Sequence, residues 1–576
     1  MMSAVTVSRG GDAAMELDQF DRWLRDPDVV MAPERLGAAR PTRHSFAASM
    51  LRTAVRDGWR IEIERWVVDG DGAGEAVYRI RTPTDVLRFV VFSTVIAETE
   101  RIDRVVAKSW DVTAALIDGD LDADRLHELR TEVPRQERGR ADAATLIWTR
   151  GNRSSRFFEH VVAALAEGQQ PDAALIGSSP YLVRSTAYYS NGRFGMATYP
   201  GLRRRPAVAS PYRAHMLAAW LFREFSCDLV DHMARSRNSG AATLDPGWRR
   251  CLGIGNATGL GMVPYVINHP MILDRWVGIR ETALAVARGT SAPRADRRWP
   301  ELYAGLTHLI GWCEARAGRS CSPFQDTGSL AAELRCIREL VRRGPRGPHP
   351  FDLLWHEAEA RMGVEAQELL ASVLTDLDDS FDDELEARLH VEGEPHDPRV
   401  TDTVGHLRSQ LARYSWTHDL AQRAGSEHWF WYYARDNEEP RRGIRGVDRG
   451  AEFEMPIDIS RAVAAMDDAL RDRHEHESVA AFLLRHPEHR AAVARVQNHA
   501  NLRYAEVRDN LIAAGFLPLQ LQRFQLAMYG AADFVPQSTD WVRVTLLNGA
   551  PSRKSLPAQA RYEHELFPSL PQQNEE

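Results

Sequence analysis

The chain has 576 residues, a formal net charge of −8, 44% hydrophobic residues and 26% charged residues. That length supports several domains with a sizeable core, and the composition excludes wholesale disorder. The acidic balance argues against nucleic acid as the partner, because neutralising a phosphate backbone needs a net basic face.

Residues 1–13 are small and polar and are expected to be disordered. Helical periods follow at 16–24 and 45–56. Three β-rich runs come next, at 60–68, 75–81 and 85–96, separated by Gly-Asp-Gly-Ala-Gly and by Thr-Pro-Thr. Enrichment in Val, Ile, Tyr and Phe between turn residues predicts an antiparallel meander, extended by a strand at 144–149. Residues 14–150 therefore read as an α+β domain.

From about residue 157 the pattern is mainly helical, with helices predicted at 157–167, 212–235, 279–288, 301–316 and 329–342. The segment 212–235 carries Leu217, Leu221, Phe225, Leu229 and Met233 at four-residue spacing, a core-facing stripe. It also carries Arg223, Glu224, Asp228 and Asp231, and reads as a buried helix rather than a membrane span. The Pro- and Gly-rich stretch 342–350 is the expected linker between a helical domain, 151–345, and a second helical region, 346–548. The latter has long helices at 459–476 and 479–514 and a late strand at 541–547. Four prolines in 549–576 lead to an expectation of disorder there. The predicted fold class is α+β, predominantly helical, with a small N-terminal antiparallel β-meander and a larger multi-helix body.

Basic residues are nearly all arginine: 70 against only Lys108 and Lys554. A P-loop needs Gly-Lys-Ser/Thr after glycines, and Schiff-base chemistry needs a buried lysine amine. Neither lysine stands in such a context, so guanidinium is the cation that this chain has for an anionic ligand. The five cysteines (Cys227, Cys251, Cys313, Cys321 and Cys336) have no CxxC spacing, which speaks against a disulfide framework, a zinc ribbon or a thioredoxin-type site. GxSxG is absent. No apolar run reaches the ~18 residues of a membrane span. The first twenty residues lack the apolar stretch of a secretory signal, so a cytoplasmic location is expected.

Two polar segments interrupt the helical pattern. Residues 177–195 hold Arg184, Ser185, Tyr188, Tyr189, Asn191 and Arg193. Guanidinium forks, phenols, a hydroxyl and an amide form a set suited to a carboxylate or phosphate, although Asn191-Gly192 alone is also a hairpin signal. Residues 252–270 hold Gly253, Gly255 and Gly259, with Asn256, Thr258, Asn268 and His269 as polar contacts. This GxGxxxG lacks the buried strand that precedes a dinucleotide loop, so close backbone approach is the better reading of its glycines.

Between these segments Asp228 and His232 lie four residues apart on one helix face, a spacing at which a carboxylate can orient an imidazole as a base. His474-Glu475-His476 and His486-Pro-Glu-His489 lie close in sequence, but HExxH and ExxH are missing and no metal or other cofactor is expected. The aromatic block 429–433 reads as a packed anchor.

The expected function is a soluble cytosolic enzyme acting on a small anionic metabolite, carboxylate- or phosphate-bearing, by metal-independent acid/base chemistry of a lyase or hydrolase kind. Arg184, Ser185, Asn191, Arg193, Asn256, Thr258 and Asn268 would bind the substrate. His269, Tyr188, Tyr189, Asp228 and His232 are the proton-moving candidates. Nucleic acid and membrane are not expected partners, and self-association as a homo-oligomer is left open. The rival readings are a non-catalytic helical binding or regulatory protein and a nucleotide- or flavin-binding oxidoreductase.

Overall fold

The computed structural model describes residues 17–97, 109–135, 144–176, 180–189, 204–256, 270–318, 325–345, 347–389, 397–412, 429–434, 440–444, 452–453, 457–504, 518–536, 542–556 and 565–569. Its strands are β1 (Arg60–Val68), β2 (Gly74–Arg81), β3 (Val86–Ser93), β4 (Val112–Asp118), β5 (Thr145–Arg153), β6 (Tyr181–Tyr189), β7 (Gly253–Asn256), β8 (Trp429–Ala434), β9 (Pro440–Ile444), β10 (Glu452–Phe453), β11 (Asp533–Pro536) and β12 (Val542–Leu546).

Nine of these strands form one sheet in the order β1-β2-β3-β4-β5-β6-β7-β12-β11. Strands β1 to β6 are successive antiparallel neighbours, as the meander predicts. The strand β7 then pairs parallel with β6, and β12 returns antiparallel to β7. The sheet is therefore mixed rather than strictly antiparallel, and it is not a small N-terminal unit. A parallel pair requires a long crossover, and β6 and β7 are joined by one that contains a 25-residue helix, Arg213–Arg237. Tyr181–Tyr189 read as a polar loop because Arg184, Ser185 and Thr186 dilute a run that is otherwise aromatic and β-branched.

That helix is the axis of the fold. Its stripe Leu217, Leu221, Phe225, Leu229 and Met233 is buried, and so are Arg223, Glu224, Asp228 and Asp231. The sheet wraps it. Trp66 of β1 packs tilted against Phe225 with ring centroids 5.7 Å apart, and Tyr78 of β2 hydrogen-bonds Asp228. Gly151 of β5 lies against the Phe222 ring, and Arg223 Nε donates to the carbonyl of Leu252 just before β7. In a flat sheet β1 and β7 would be about 29 Å apart, six strand spacings. Trp66 and Leu252 meet helix residues only two positions apart, Phe225 and Arg223, so the sheet is strongly curled.

Residues 549–556, where prolines led to an expectation of disorder, are docked on this helix. Trp220 Nε1 donates to the Pro551 carbonyl at 2.9 Å, and the Arg553 amide donates to Glu224 Oε2 at 2.8 Å. Arg223, fully buried, uses its guanidinium to gather the carbonyls of Arg249, Ala550 and Pro551.

A second core, with Trp312, Leu334, Trp355 and Leu370, lies among the helices Arg298–Glu314, Thr327–Arg343, Pro350–Arg361 and Val364–Thr375. It is tied to the sheet body by Glu368, which faces Arg25, Arg35 and Arg280. A third core, with Val404, Met466, Phe482 and Val493, is built by Val404–Leu411, Ile457–Leu470, Val479–Arg485 and Arg490–His499. The aromatic block is strand β8, between β10 and β9 in a three-stranded sheet. Among the described residues no helix is long and apolar enough to cross a membrane.

Candidate functional site

The β6–β7 pair is where the two polar segments of the sequence come together. Arg184 is opposite Gly255 and Ser185 opposite Asn256, with both strands running the same way. They leave the sheet at the same end, with β7 stopping opposite Ser185 and β6 running on for four residues to Tyr189. β6 is antiparallel to β5 and parallel to β7.

The glycines here have identifiable tasks. A Cβ on Gly253 would meet the Leu546 carbonyl oxygen at 2.3 Å, and one on Gly255 would meet the Tyr181 ring at 2.6 Å. Gly151 on β5 leaves room for the Arg184 carbonyl, which a Cβ would approach to 2.6 Å. Gly253 and Gly255 lie inside β7, whereas the glycines of a dinucleotide loop follow a strand. Close approach of backbone and ring accounts for both.

Arg184 and Ser185 are buried in β6. The Ser185 hydroxyl donates to the Arg150 carbonyl at 3.0 Å and lies 3.3 Å from Thr149 Oγ1, so it ties β6 to β5. Tyr188 and Tyr189 continue β6 opposite Thr149 and Trp148. Asn256 ends β7 opposite Val544 of β12. Asn191, Arg193, Thr258, Asn268 and His269 lie outside the described residues.

Asp228 and His232 share the central helix but not a bond. Asp228 Oδ2 accepts from Tyr78 at 3.1 Å and from Arg553, and Oδ1 accepts from Arg249 at 3.2 Å. His232 Nδ1 accepts from the Trp66 indole at 3.3 Å, and its Nε2 lies 3.0 Å from the Asp69 carbonyl. Indole only donates and carbonyl only accepts, so the ring carries its proton on Nε2. Among the described residues the pair is thus split between a buried ion cluster and the β1–β2 turn.

Burial, and then the Asp228 carboxylate, push the Tyr78 phenol well above its ordinary range, which keeps it a donor. Burial likewise raises the Glu224 carboxyl against the opposing pull of Arg223. Asp231 completes the cluster by accepting from Arg249 and from the Leu244 amide. The partners Tyr78, Arg249 and Arg553 lie 150, 21 and 325 residues from Asp228 in sequence. No local spacing signals that meeting.

A separate cavity of about 570 Å³ opens beside the helix Phe46–Arg56. Its guanidiniums already face carboxylates: Arg43 donates to Asp382 at 2.5 Å, Arg52 lies 3.4 Å from the same group, and Arg56 meets Asp383. An anion entering it has to displace those contacts. Its lining comes from three chain segments, 43–56, 301–305 and 373–383, and the acidic run 376–386 that supplies one wall reads in sequence as a solvated face.

Of the described cysteines, Cys227, Cys251 and Cys313 are buried and Cys336 is exposed, with none in a disulfide. Burial pushes the Cys227 and Cys251 thiols up to about 12 and that of Cys313 to about 11, far from the thiolate needed of a nucleophile. No protein-family model, curated protein or solved structure matches this chain.

Proposed function

We propose that the chain binds a small carboxylate- or phosphate-bearing metabolite at the carboxyl ends of β6 and β7 and acts on it by acid/base chemistry. The observation that carries this reading is the parallel register of Ser185 with Asn256. It sends the two segments richest in polar side chains out from the same end of neighbouring strands. Arg184 and Arg193 are the anion-binding groups in this reading, since lysine is nearly absent from the chain. Asn191, Asn256, Thr258 and Asn268 add neutral hydrogen bonds. Tyr188, Tyr189 and His269 are the groups that move protons. Asp228 and His232 are left out of the reaction, because each is engaged elsewhere.

The test is a thermal-shift screen of the full chain against carboxylates, phosphate esters, neutral sugars and polyamines. An anionic compound is expected to raise the melting temperature. Arg193→Ala and His269→Ala should keep the unliganded melt, with Arg193→Ala losing the shift and His269→Ala losing turnover of that compound. A stabilising ligand that is neutral or cationic, or a shift and turnover retained in both variants, rejects the proposal.

A further inference from the structure

The sequence His486-Pro487-Glu488-His489 spans the junction between the helices Val479–Arg485 and Arg490–His499. Pro487–His489 is a single 3₁₀ turn. In that conformation residues three apart eclipse one another, which sets His486 and His489 on the same side. Their ring centroids are 5.9 Å apart, and Phe482 packs against both, at 5.1 Å from His486 and stacked at 5.9 Å on His489. Phe482 belongs to the third core, so the orientation of both imidazoles is set by packing.

Glu488 lies between them. Its Oε1 is 3.4 Å from His486 Nδ1 and 3.8 Å from His489 Nε2, and one ligand atom from each of the three residues falls within 4.8 Å of the others. Ligands of a tetrahedral zinc ion at about 2.0–2.2 Å are separated from one another by about 3.3–3.6 Å. Two imidazole nitrogens and one carboxylate oxygen form a donor set suited to zinc, whereas calcium and magnesium favour all-oxygen sites.

We propose that His486, Glu488 and His489 form a zinc site that pins this turn and the two helices it joins. The fourth position is left to water. The site departs from the expectation of no metal, which rested on missing HExxH and ExxH spacings. Those motifs place ligands on an α-helix; here a 3₁₀ turn brings i and i+3 together. His474 and His476, also adjacent in sequence, are exposed and are not members of the group.

Arg473 opposes the ion. Its Nη2 lies 3.2 Å from His486 Nε2, and since a guanidinium only donates, Nε2 accepts and Nδ1 carries the proton toward Glu488. Zinc at Nδ1 moves that proton to Nε2, and the guanidinium has to turn away.

The experiment is calorimetric titration of zinc sulfate into the full chain after dialysis against EDTA, with melting followed in parallel. The native chain is expected to bind one equivalent that Glu488→Gln weakens by about tenfold or more and that His486→Ala abolishes. Zinc should raise the melting temperature of the native chain and not that of His486→Ala. Glu488 is largely exposed, so its replacement leaves the fold intact even if a histidine variant does not fold. Arg473→Gln removes the competing charge and should bind zinc more tightly. Unchanged zinc binding in Glu488→Gln, or weaker binding in Arg473→Gln, overturns the site.

Discussion

Arg553 donates from both Nε and Nη2, at 3.1 and 2.9 Å, to one carboxylate oxygen of Asp228, joining residues 325 positions apart. Both side chains are almost wholly shielded from solvent. Removing one partner of a buried pair leaves the other charge uncompensated, which costs about 3–5 kcal/mol. Asp228 retains Arg249 and Tyr78, so Arg553→Met is expected at the lower end, about 3 kcal/mol, read as a lower urea midpoint at unchanged slope. A loss below about 0.5 kcal/mol, the level of an ordinary surface substitution, would show that the 549–556 segment adds no stability.

Gly253→Ala and Gly255→Ala are each expected to destabilise by about 1–3 kcal/mol, the cost of overpacking a filled interior. The first new methyl meets a backbone carbonyl and the second a buried ring, and neither gives way. Gly311 stands inside the helix Arg298–Glu314, and a Cβ there meets nothing within 4 Å. Gly311→Ala should instead stabilise by about 0.5–1 kcal/mol. Guanidinium unfolding of the three variants checks the opposite signs.

Glu368 is fully buried and faces three guanidiniums, Arg25, Arg35 and Arg280. Burial acts to raise its carboxyl, but the three cations outweigh it and hold the group well below the usual carboxylate range. Glu368→Gln keeps the shape and strips the charge, so the loss is expected at about 3–5 kcal/mol. Replacing the partly exposed Glu339, paired with Arg342 and Arg343 at the surface, should change the melting temperature little. Comparable losses at the two positions would contradict the buried-cluster argument.

Stability should fall as the pH drops below about 6.5. Burial lowers the His215 imidazole to about 3 from an ordinary 6.5. Burial, then Arg52 and Arg43, hold His44 well below its range. Both rings stay neutral in the folded chain while the unfolded chain takes up protons below pH 6.5, so the unfolded state gains with each step down. Each such group contributes a slope approaching about 1.4 kcal/mol per pH unit. Between pH 6.5 and 5 Glu368 stays ionised in the folded chain, and the onset of its protonation in the unfolded chain near pH 5 adds to the loss in the same direction. His215→Leu should flatten the stability profile in that window, measured by urea midpoints at half-unit steps. An unchanged slope would place the acid sensitivity elsewhere.

Much of the local structure is legible in the sequence because it rests on local periodicity. The strands β1 to β3 follow from β-rich runs between turn residues, and the central helix from the stripe Leu217 to Met233. The two polar segments stand out by composition. That Ser185 and Asn256 are sheet partners is not legible, since each belongs to a run whose polar side chains mask its strand character. The docking of 549–556 is hidden as well: its prolines predict disorder, while its anchors are backbone carbonyls whose donors, Trp220 and Arg223, lie on the central helix.

By itself the sequence determined an α+β, mainly helical chain in which guanidinium is the available cation and lysine chemistry has almost no place. Tertiary structure alone decided that the sheet is mixed, that it curls around a single helix, and that Asp228 answers to Arg249, Arg553 and Tyr78 rather than to His232. The reason is the range of the forces. Helical and strand periods are set by neighbours a few residues away. The partner of a buried charge is set by whichever segment the folded core brings within 3 Å, and no local spacing records it.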